Sequence, residues 1–310
     1  MFFLTITRLS FFAFLLTGHL MAYANSSPSI VDSFELPNGR LVVAGQEQFK
    51  IIAKSDLTSQ TAILSSSKIS NDINIKRTKQ LILGVFTAAW LEPIEAQPKA
   101  NKTQYSLPRY VYSLAASKLT IDSTPPMMRA TVQNLINKKA PVAWVHFFEQ
   151  MATDEDGHEL TPVADINALG ISAVSFFKDY QPAGTVKLVQ YGWKLSRSNE
   201  PIATLGYAYA LQRSSLLLDK KIVDKIEAII PVGVVANSSL RLHSGVGQNA
   251  KHVAEIEEFI ATLPPQAKES VLLAIFESIS ILKRSDSYPG DEEMKKIINR
   301  YLINHNFSYF

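Results

Sequence analysis

The sequence predicts an all-α protein, a bundle of roughly seven to nine helices, preceded by a small β-containing extension. From Asp72 onward, apolar residues recur at helical spacing in segments separated by prolines or polar loops. Asn38-Gly39 stands between apolar residues, a pattern typical of a β-hairpin turn. The chain has 310 residues, 46% of them hydrophobic, so most of it can bury a core.

Residues 1–24 have the pattern of a secretory signal peptide. Arg8 is their only charged side chain, and the apolar run over 9–21 is too short to span a membrane. Ala22-Tyr23-Ala24 follows as a small-x-small cleavage site. We therefore expect an exported protein, periplasmic or secreted, with no membrane span after processing. The alternative is a buried N-terminal helix.

Residues 25–70 are expected to form the β-containing extension, and residues 71–310 the helical domain. The hairpin and two short segments, 49–53 and 61–64, supply the strand candidates. Thr124-Pro-Pro is expected to break a helix. Helices are expected over residues 76–96, 108–119, 127–138, 183–195, 201–218 and 235–263, with another opened by Pro141. Residues 174–180 form a short aromatic segment, and segments 219–229, 266–283 and 292–303 complete the chain.

Composition excludes several functions. The formal charge of +3 is small, and the lysines and arginines are scattered along the chain, which argues against nucleic acid or acidic lipid as partners. The absence of cysteine removes disulfides, Cys-ligated zinc and a Cys nucleophile. The sequence contains no Gly-x-Ser-x-Gly motif, and the short Gly245-Val-Gly247 run lacks the strand that a phosphate-binding loop needs.

The stretch over residues 145–170 concentrates acid/base and metal-capable side chains. Glu155 and His158 are three apart, so on a helix they would share a face. A Glu-x-x-His pair projecting into a helical bundle is the spacing of carboxylate-bridged di-iron and di-manganese sites. The alternative is a solvated acidic helix face. The other members of the group are Glu149, Asp154, Asp156, Glu159 and Asp165.

A second group lies on the predicted helix over 235–263. Asn249 precedes His252 by three residues and would share its face. His243 lies nine residues before His252, out of phase on a straight helix, but two intervening glycines could re-aim it. The alternative is one exposed and one core histidine, with the glycines marking a loop.

These motifs, in this order, resemble the heme-oxygenase-like iron-containing redox enzymes. The residues that carry the resemblance are the Glu/His-rich stretch ending in Ala-Leu-Gly at 168–170, the LGYAYAL run at 205–211 and the late His…His segment. The resemblance covers about residues 108–282. It implies a heme-oxygenase-like bundle, often dimeric, whose non-heme di-iron cofactor activates dioxygen.

The resemblance also implies a ligand set. Glu155 (or Glu149) and His158 match the early ligands, and His243 and His252 match the late ones. Gln212 stands where the family has a glutamate, and Asn249 where it has an aspartate.

These two amides leave fewer anionic oxygens to balance two cations, so one ion is easier to support than two. We expect a facial set of His158, His252 and Glu155, as in mononuclear non-heme iron sites. His243 and Glu149 are weaker candidates. Gln212 and Asn249 are expected to be weak ligands or hydrogen-bond partners of the ligands, and Asp165 a further carboxylate.

The expected function is that of a non-heme iron oxidase or oxygenase using dioxygen and a small, partly apolar substrate, in a homodimer. The alternative is a non-catalytic binding protein with a degraded metal site. Thiaminase-type hydrolysis on the same fold requires a cysteine. Heme degradation requires a histidine near the start of the domain, and His146 lies too far along.

Overall fold

The structure, a computed structural model, describes residues 32–53, 71–92, 105–284 and 287–303. These ranges contain three β-strands and twelve α-helices, which confirms the predicted helical class with a small N-terminal sheet. The chain divides into two compact units, Met1–Gln104 with Glu257–Leu263, and Tyr105–Ile256 with Pro264–Phe310. The predicted signal peptide and the strand candidate at 61–64 lie outside the described residues.

The first unit combines the sheet with one helix. The predicted hairpin forms at Asn38-Gly39, where the Leu36 amide donates to the Arg40 carbonyl over 2.8 Å. Helix α1, which the sequence assigned to the helical domain, groups with the sheet in this unit and buries Ile82 and Val85. The strands pair antiparallel in chain order, and the bounds are β1 Asp32–Glu35, β2 Arg40–Ala44, β3 Phe49–Ala53 and α1 Asn71–Leu91.

The second unit is a helical bundle. Helix α2 packs against α3 and α6, and α7 packs against α11, with Tyr207 fully buried beside Met127 and Leu188. Helix α10 begins in this unit, and its last residues belong to the first. A 3₁₀ turn, Pro201–Ala203, precedes α7. The bounds are α2 Leu107–Asn137, α3 Val142–Asp154, α4 Leu160–Ala168, α5 Ala173–Asp179, α6 Ala183–Ser196, α7 Thr204–Ser215, α8 Lys220–Glu227, α9 Ser238–Leu242, α10 Asn249–Thr262, α11 Pro265–Arg284 and α12 Asp291–Asn299.

The expected break at Thr124-Pro-Pro is wrong, because α2 continues through Pro125 and Pro126. Each proline lacks the amide that would bond the carbonyl four residues earlier. Hydroxyl groups bond the carbonyls just before the gap: Ser123 donates to Leu119 O and Thr124 to Thr120 O, over 2.7 and 2.8 Å. Burial of residues on both sides of the pair, including Pro125 itself, favours the continuous helix.

The single helix expected over 235–263 is also wrong. It is divided into α9 and α10 by a loop that runs from His243 to Gln248. At Gly247 an added Cβ would lie 2.1 Å from the Leu242 carbonyl oxygen, so the loop folds back against the end of α9 more closely than any side chain allows. This break separates the two late histidines.

Across the described ranges, the structure contains no helix that combines the length and apolarity needed to cross a bilayer.

We expect Gly247→Ala to lower the free energy of unfolding by about 1–3 kcal/mol, because its new methyl group meets backbone that cannot rotate away. Gly245→Ala is the comparison, since its Cβ would lie 3.2 Å from the nearest carbonyl oxygens and costs less. Urea denaturation of both variants measures the difference. Equal losses would contradict the close approach at Gly247.

Candidate metal centre

The turn between α3 and α4 carries two candidate ligands. Helix α3 ends at Asp154, and residues 155–159 form a turn in which Gly157 has φ of 88°, a conformation that favours glycine. The prediction that Glu155 and His158 share a helix face is therefore wrong. The turn still brings them together, with His158 Nδ1 3.1 Å from Glu155 Oε2.

His243 enters from the end of α9, at the helix C-cap. Its Nδ1 lies 3.2 Å from the Ser239 carbonyl oxygen, which can only accept, so we assign the proton to Nδ1. The other ring nitrogen, Nε2, is buried, and the described residues offer it no hydrogen-bond partner. Its ring centroid is 5.2 Å from that of His158, at an interplanar angle of 78°. His243 thus presents an unpaired lone pair beside the Glu155–His158 pair.

Glu155, His158 and His243 form a cluster suited to a metal ion. Each offers one ligand atom, and these atoms lie within 4.8 Å of one another. Two imidazoles and one carboxylate make up the donor set of mononuclear non-heme iron sites. Atoms bound to one ion at about 2.1 Å lie roughly 3–3.4 Å apart, so small side-chain movements bring the cluster to that spacing.

His252 and Gln212 lie at the other oxygen of Glu155. The Gln212 amide donates to Glu155 Oε1 over 2.7 Å, and His252 Nδ1 lies 4.0 Å from the same oxygen. His252 is outside the three-residue cluster, although the sequence favoured it over His243. The two histidines do not share a helix, because a loop separates α9 from α10. Their relative orientation is therefore not fixed by helical periodicity.

The remaining sequence candidates lie away from the cluster. Glu149 is exposed on α3. Asn249 is buried and donates to the Ser215 hydroxyl, which in turn donates to the Gln212 carbonyl over 2.6 Å. Asn249 therefore holds the backbone that carries Gln212, and the sequence analysis overlooked Ser215 as its partner.

Asp165 has no exposed surface, and its carboxylate bonds to backbone amides. Its two oxygens accept hydrogen bonds from the amides of Ser238 and Ser239, each over 2.9 Å. These amides open α9, the helix that ends at His243. Ser239 was also overlooked, since a backbone acceptor leaves no signature in the sequence.

Electrostatics favour metal binding at two of the three side chains in the cluster, whereas the raised pKa of His158 opposes it at the third. Burial raises the pKa of Glu155, but the hydrogen bond from His158 and the neighbouring imidazole charges outweigh it and hold this pKa below the usual value. The hydrogen bond to Glu155 raises the pKa of His158. Burial lowers the pKa of His243, despite the opposing charge of Glu155. Glu155 is thus held as an anion and His243 as a neutral imidazole, the forms that bind metals.

A small pocket of about 40 Å³ lies beside the Glu155 carboxylate. Phe147, Met151 and Ile256 contribute apolar lining. The polar lining, besides Glu155 and His252, comes from Gln150, Gln212, Asp154 and Glu255. A pocket of this size holds about one water molecule, so a larger ligand requires these side chains to move.

We expect Glu155→Gln to lower the free energy of unfolding by about 1–3 kcal/mol, because an amide has one acceptor oxygen and its NH₂ group would face a donor. Glu149→Gln is the matched control on the exposed surface of α3, and its effect should stay within about 0.5 kcal/mol. Urea denaturation of the metal-free proteins compares them. Equal small effects would contradict the hydrogen bonding described for Glu155.

Comparison with solved structures identifies the fold. A crystal structure at 2.30 Å resolution, of a domain of unknown function with a heme oxygenase-like fold from Shewanella denitrificans OS217, matches with a TM-score of 0.50 and 17% identity. The match covers 74% of this chain and 96% of that chain. No family model matches the chain, and neither does any curated protein. The chain therefore has the predicted heme oxygenase-like fold, and the resemblance to iron-containing redox enzymes is supported at the level of fold alone.

Proposed function

We propose that this protein is a non-heme iron oxidase or oxygenase that binds one metal ion at Glu155, His158 and His243. The observation that carries the proposal is the buried, unpaired Nε2 of His243 beside a carboxylate and a second imidazole. Segment 1–24 and the family resemblance extend the proposal to an exported homodimer that uses dioxygen and a small, partly apolar substrate.

The donor set fits iron. Two imidazoles and one carboxylate suit Fe(II) and leave coordination positions open for oxygen and substrate. A bound Fe(II) ion would supply the electrons with which dioxygen is activated. The low pKa of Glu155 and the neutral state of His243 mean that neither side chain must lose a proton to bind it.

A single ion is the better fit. In the described part of the chain, Glu155 is the one carboxylate in the cluster, and the side chain at its other oxygen is the neutral Gln212 amide. A second cation at that oxygen would have His252 beside it but no second carboxylate from the three-residue cluster, since the carboxylates of Asp154 and Glu255 line the adjoining pocket and are outside that cluster. The hydrogen bond from Gln212 instead orients the Glu155 carboxylate towards the two histidines.

The protein's own groups would orient the ligands and shape the substrate space. Ser239 fixes the His243 ring through Nδ1, leaving Nε2 to face the cluster. The apolar side chains of Phe147, Met151 and Ile256 beside Glu155 would suit an apolar part of a substrate.

We expect the purified protein to retain about one equivalent of iron after anaerobic Fe(II) loading and desalting. His158→Ala and His243→Ala should each lose it, because two ligands hold an ion far less tightly than three. His146→Ala, an exposed histidine on α3, is the matched control and should retain iron. Elemental analysis measures the stoichiometry, and dioxygen consumption by the loaded protein tests the reaction.

Absence of retained iron in the wild type would contradict the proposal. Equal retention by His158→Ala and His243→Ala would contradict the assignment of the ligands.

A non-catalytic binding protein is the second candidate. It is favoured by the hydrogen bonds that both oxygens of Glu155 already accept, from His158 and from Gln212, without a metal ion. Such a protein would use the fold and the pocket for a ligand other than iron.

We expect Gln212→Glu to raise iron affinity about tenfold or more, because it sets a second anionic oxygen against the cluster. Without metal, the facing carboxylates should also destabilise the fold by like-charge repulsion. Asn249→Asp is the control, since the Asn249 side chain contacts Ser215 and lies outside the cluster. Iron titration monitors affinity. No gain from Gln212→Glu would favour the binding protein.

A further inference from the structure

Asp165 is a fully buried carboxylate that the proposed chemistry leaves unused. A buried charge is costly unless hydrogen bonds compensate it. Burial raises the pKa of Asp165, and the backbone amides of Ser238 and Ser239, each 2.9 Å from a different oxygen of the carboxylate, oppose that rise. Helix α9 is only five residues long, so this cap bonds two of the few amides that begin it.

The cap leads directly to His243. Ser239, whose amide bonds Asp165, accepts two hydrogen bonds through its carbonyl, from the His243 amide over 3.0 Å and from His243 Nδ1 at 3.2 Å. The second of these fixes both the orientation of the imidazole and its tautomer. A single residue, Ser239, thus connects the Asp165 carboxylate to the His243 ring.

Asp165 also ties α9 to the other ligands. It lies on α4, the helix that begins two residues after His158. Helix α9 and the segment before it have other contacts. Tyr110, whose side chain also hydrogen-bonds Asp165, donates to Ala236 O over 2.7 Å. Glu227 accepts from Asn237 and from Arg241 over 2.7 and 2.6 Å. Of these anchors, Asp165 is the one bonded to Ser239.

We propose that Asp165 is a positioning residue that holds His243 in the Nδ1-protonated form, with Nε2 facing Glu155 and His158. The proposal deepens the proposed function, on which its metal-binding consequence rests. The tautomer itself is a property of the metal-free protein. The two ideas can therefore fail separately.

Asp165→Asn is the decisive variant. The asparagine has the same shape, but it can accept from one of the two serine amides and turns an NH₂ group towards the other. Glu227→Gln is the matched control, because Glu227 holds the same helix through Asn237 and Arg241 without touching Ser239. Circular dichroism checks that both variants fold.

The first readout is ¹⁵N NMR of the histidine rings in the metal-free full chain, with His243 assigned through the loss of its signals in His243→Ala. The wild type and Glu227→Gln should show His243 protonated at Nδ1. Asp165→Asn should show a mixture of tautomers. The second readout is Fe(II) affinity, which should fall about 10–100-fold in Asp165→Asn and far less in Glu227→Gln.

The outcomes separate the two proposals. A wild type that binds no iron, with a tautomer shift confined to Asp165→Asn, would support positioning and contradict the proposed function. Iron binding with an unchanged tautomer and affinity in Asp165→Asn would overturn positioning alone. If Asp165→Asn does not fold, the wild type still decides, because protonation of its His243 at Nε2 would overturn the proposal.

Discussion

The buried carboxylate of Glu155 is the constraint on which the site depends. An anion removed from water must be compensated, and each of its oxygens has a different partner: His158 at Oε2 and Gln212 at Oε1. These partners come from the turn after α3 and from α7, so the charge ties separate elements together. His158 lies at Oε2 with the His243 ring beside its own, whereas the Gln212 amide lies at Oε1 with His252 Nδ1 4.0 Å away. In the proposed metal site, this difference between the two oxygens favours one ion over two.

Backbone breaks determine which histidine joins Glu155. The turn at Gly157 brings His158 back onto Glu155. The loop over residues 243–248, packed closely at Gly247, takes His243 off the helix that carries His252. His252 remains on α10 and reaches only the Oε1 side, at 4.0 Å. Asp165 and Ser239 then hold His243 through backbone hydrogen bonds. The candidate site is therefore built from two chain reversals between helices, which bring the side chains of Glu155, His158 and His243 together.

The sequence predicted part of this arrangement and could not have predicted the rest. Helical periodicity and the Asn38-Gly39 turn act locally, so they predicted the class and the hairpin. Glu155 and His158 were correctly predicted to be neighbours because they are three residues apart, although the chain there forms a turn and not the expected helix. The choice between His243 and His252 depended on a tight approach of Gly247 to a carbonyl oxygen, which no periodicity reveals. The role of Asp165 depended on amides 73 and 74 residues away in the chain. Pro125 and Pro126 show the opposite case, in which tertiary packing overrides a strong local breaker.

The measurement that tests the central claim most directly is anomalous diffraction at the iron edge from crystals loaded anaerobically with Fe(II). The account predicts one peak per chain, within bonding distance of Glu155, His158 and His243, with Gln212 still bonded to the far oxygen of Glu155. Two peaks flanking Glu155, or a single peak bonded to His252 in place of His243, would contradict it.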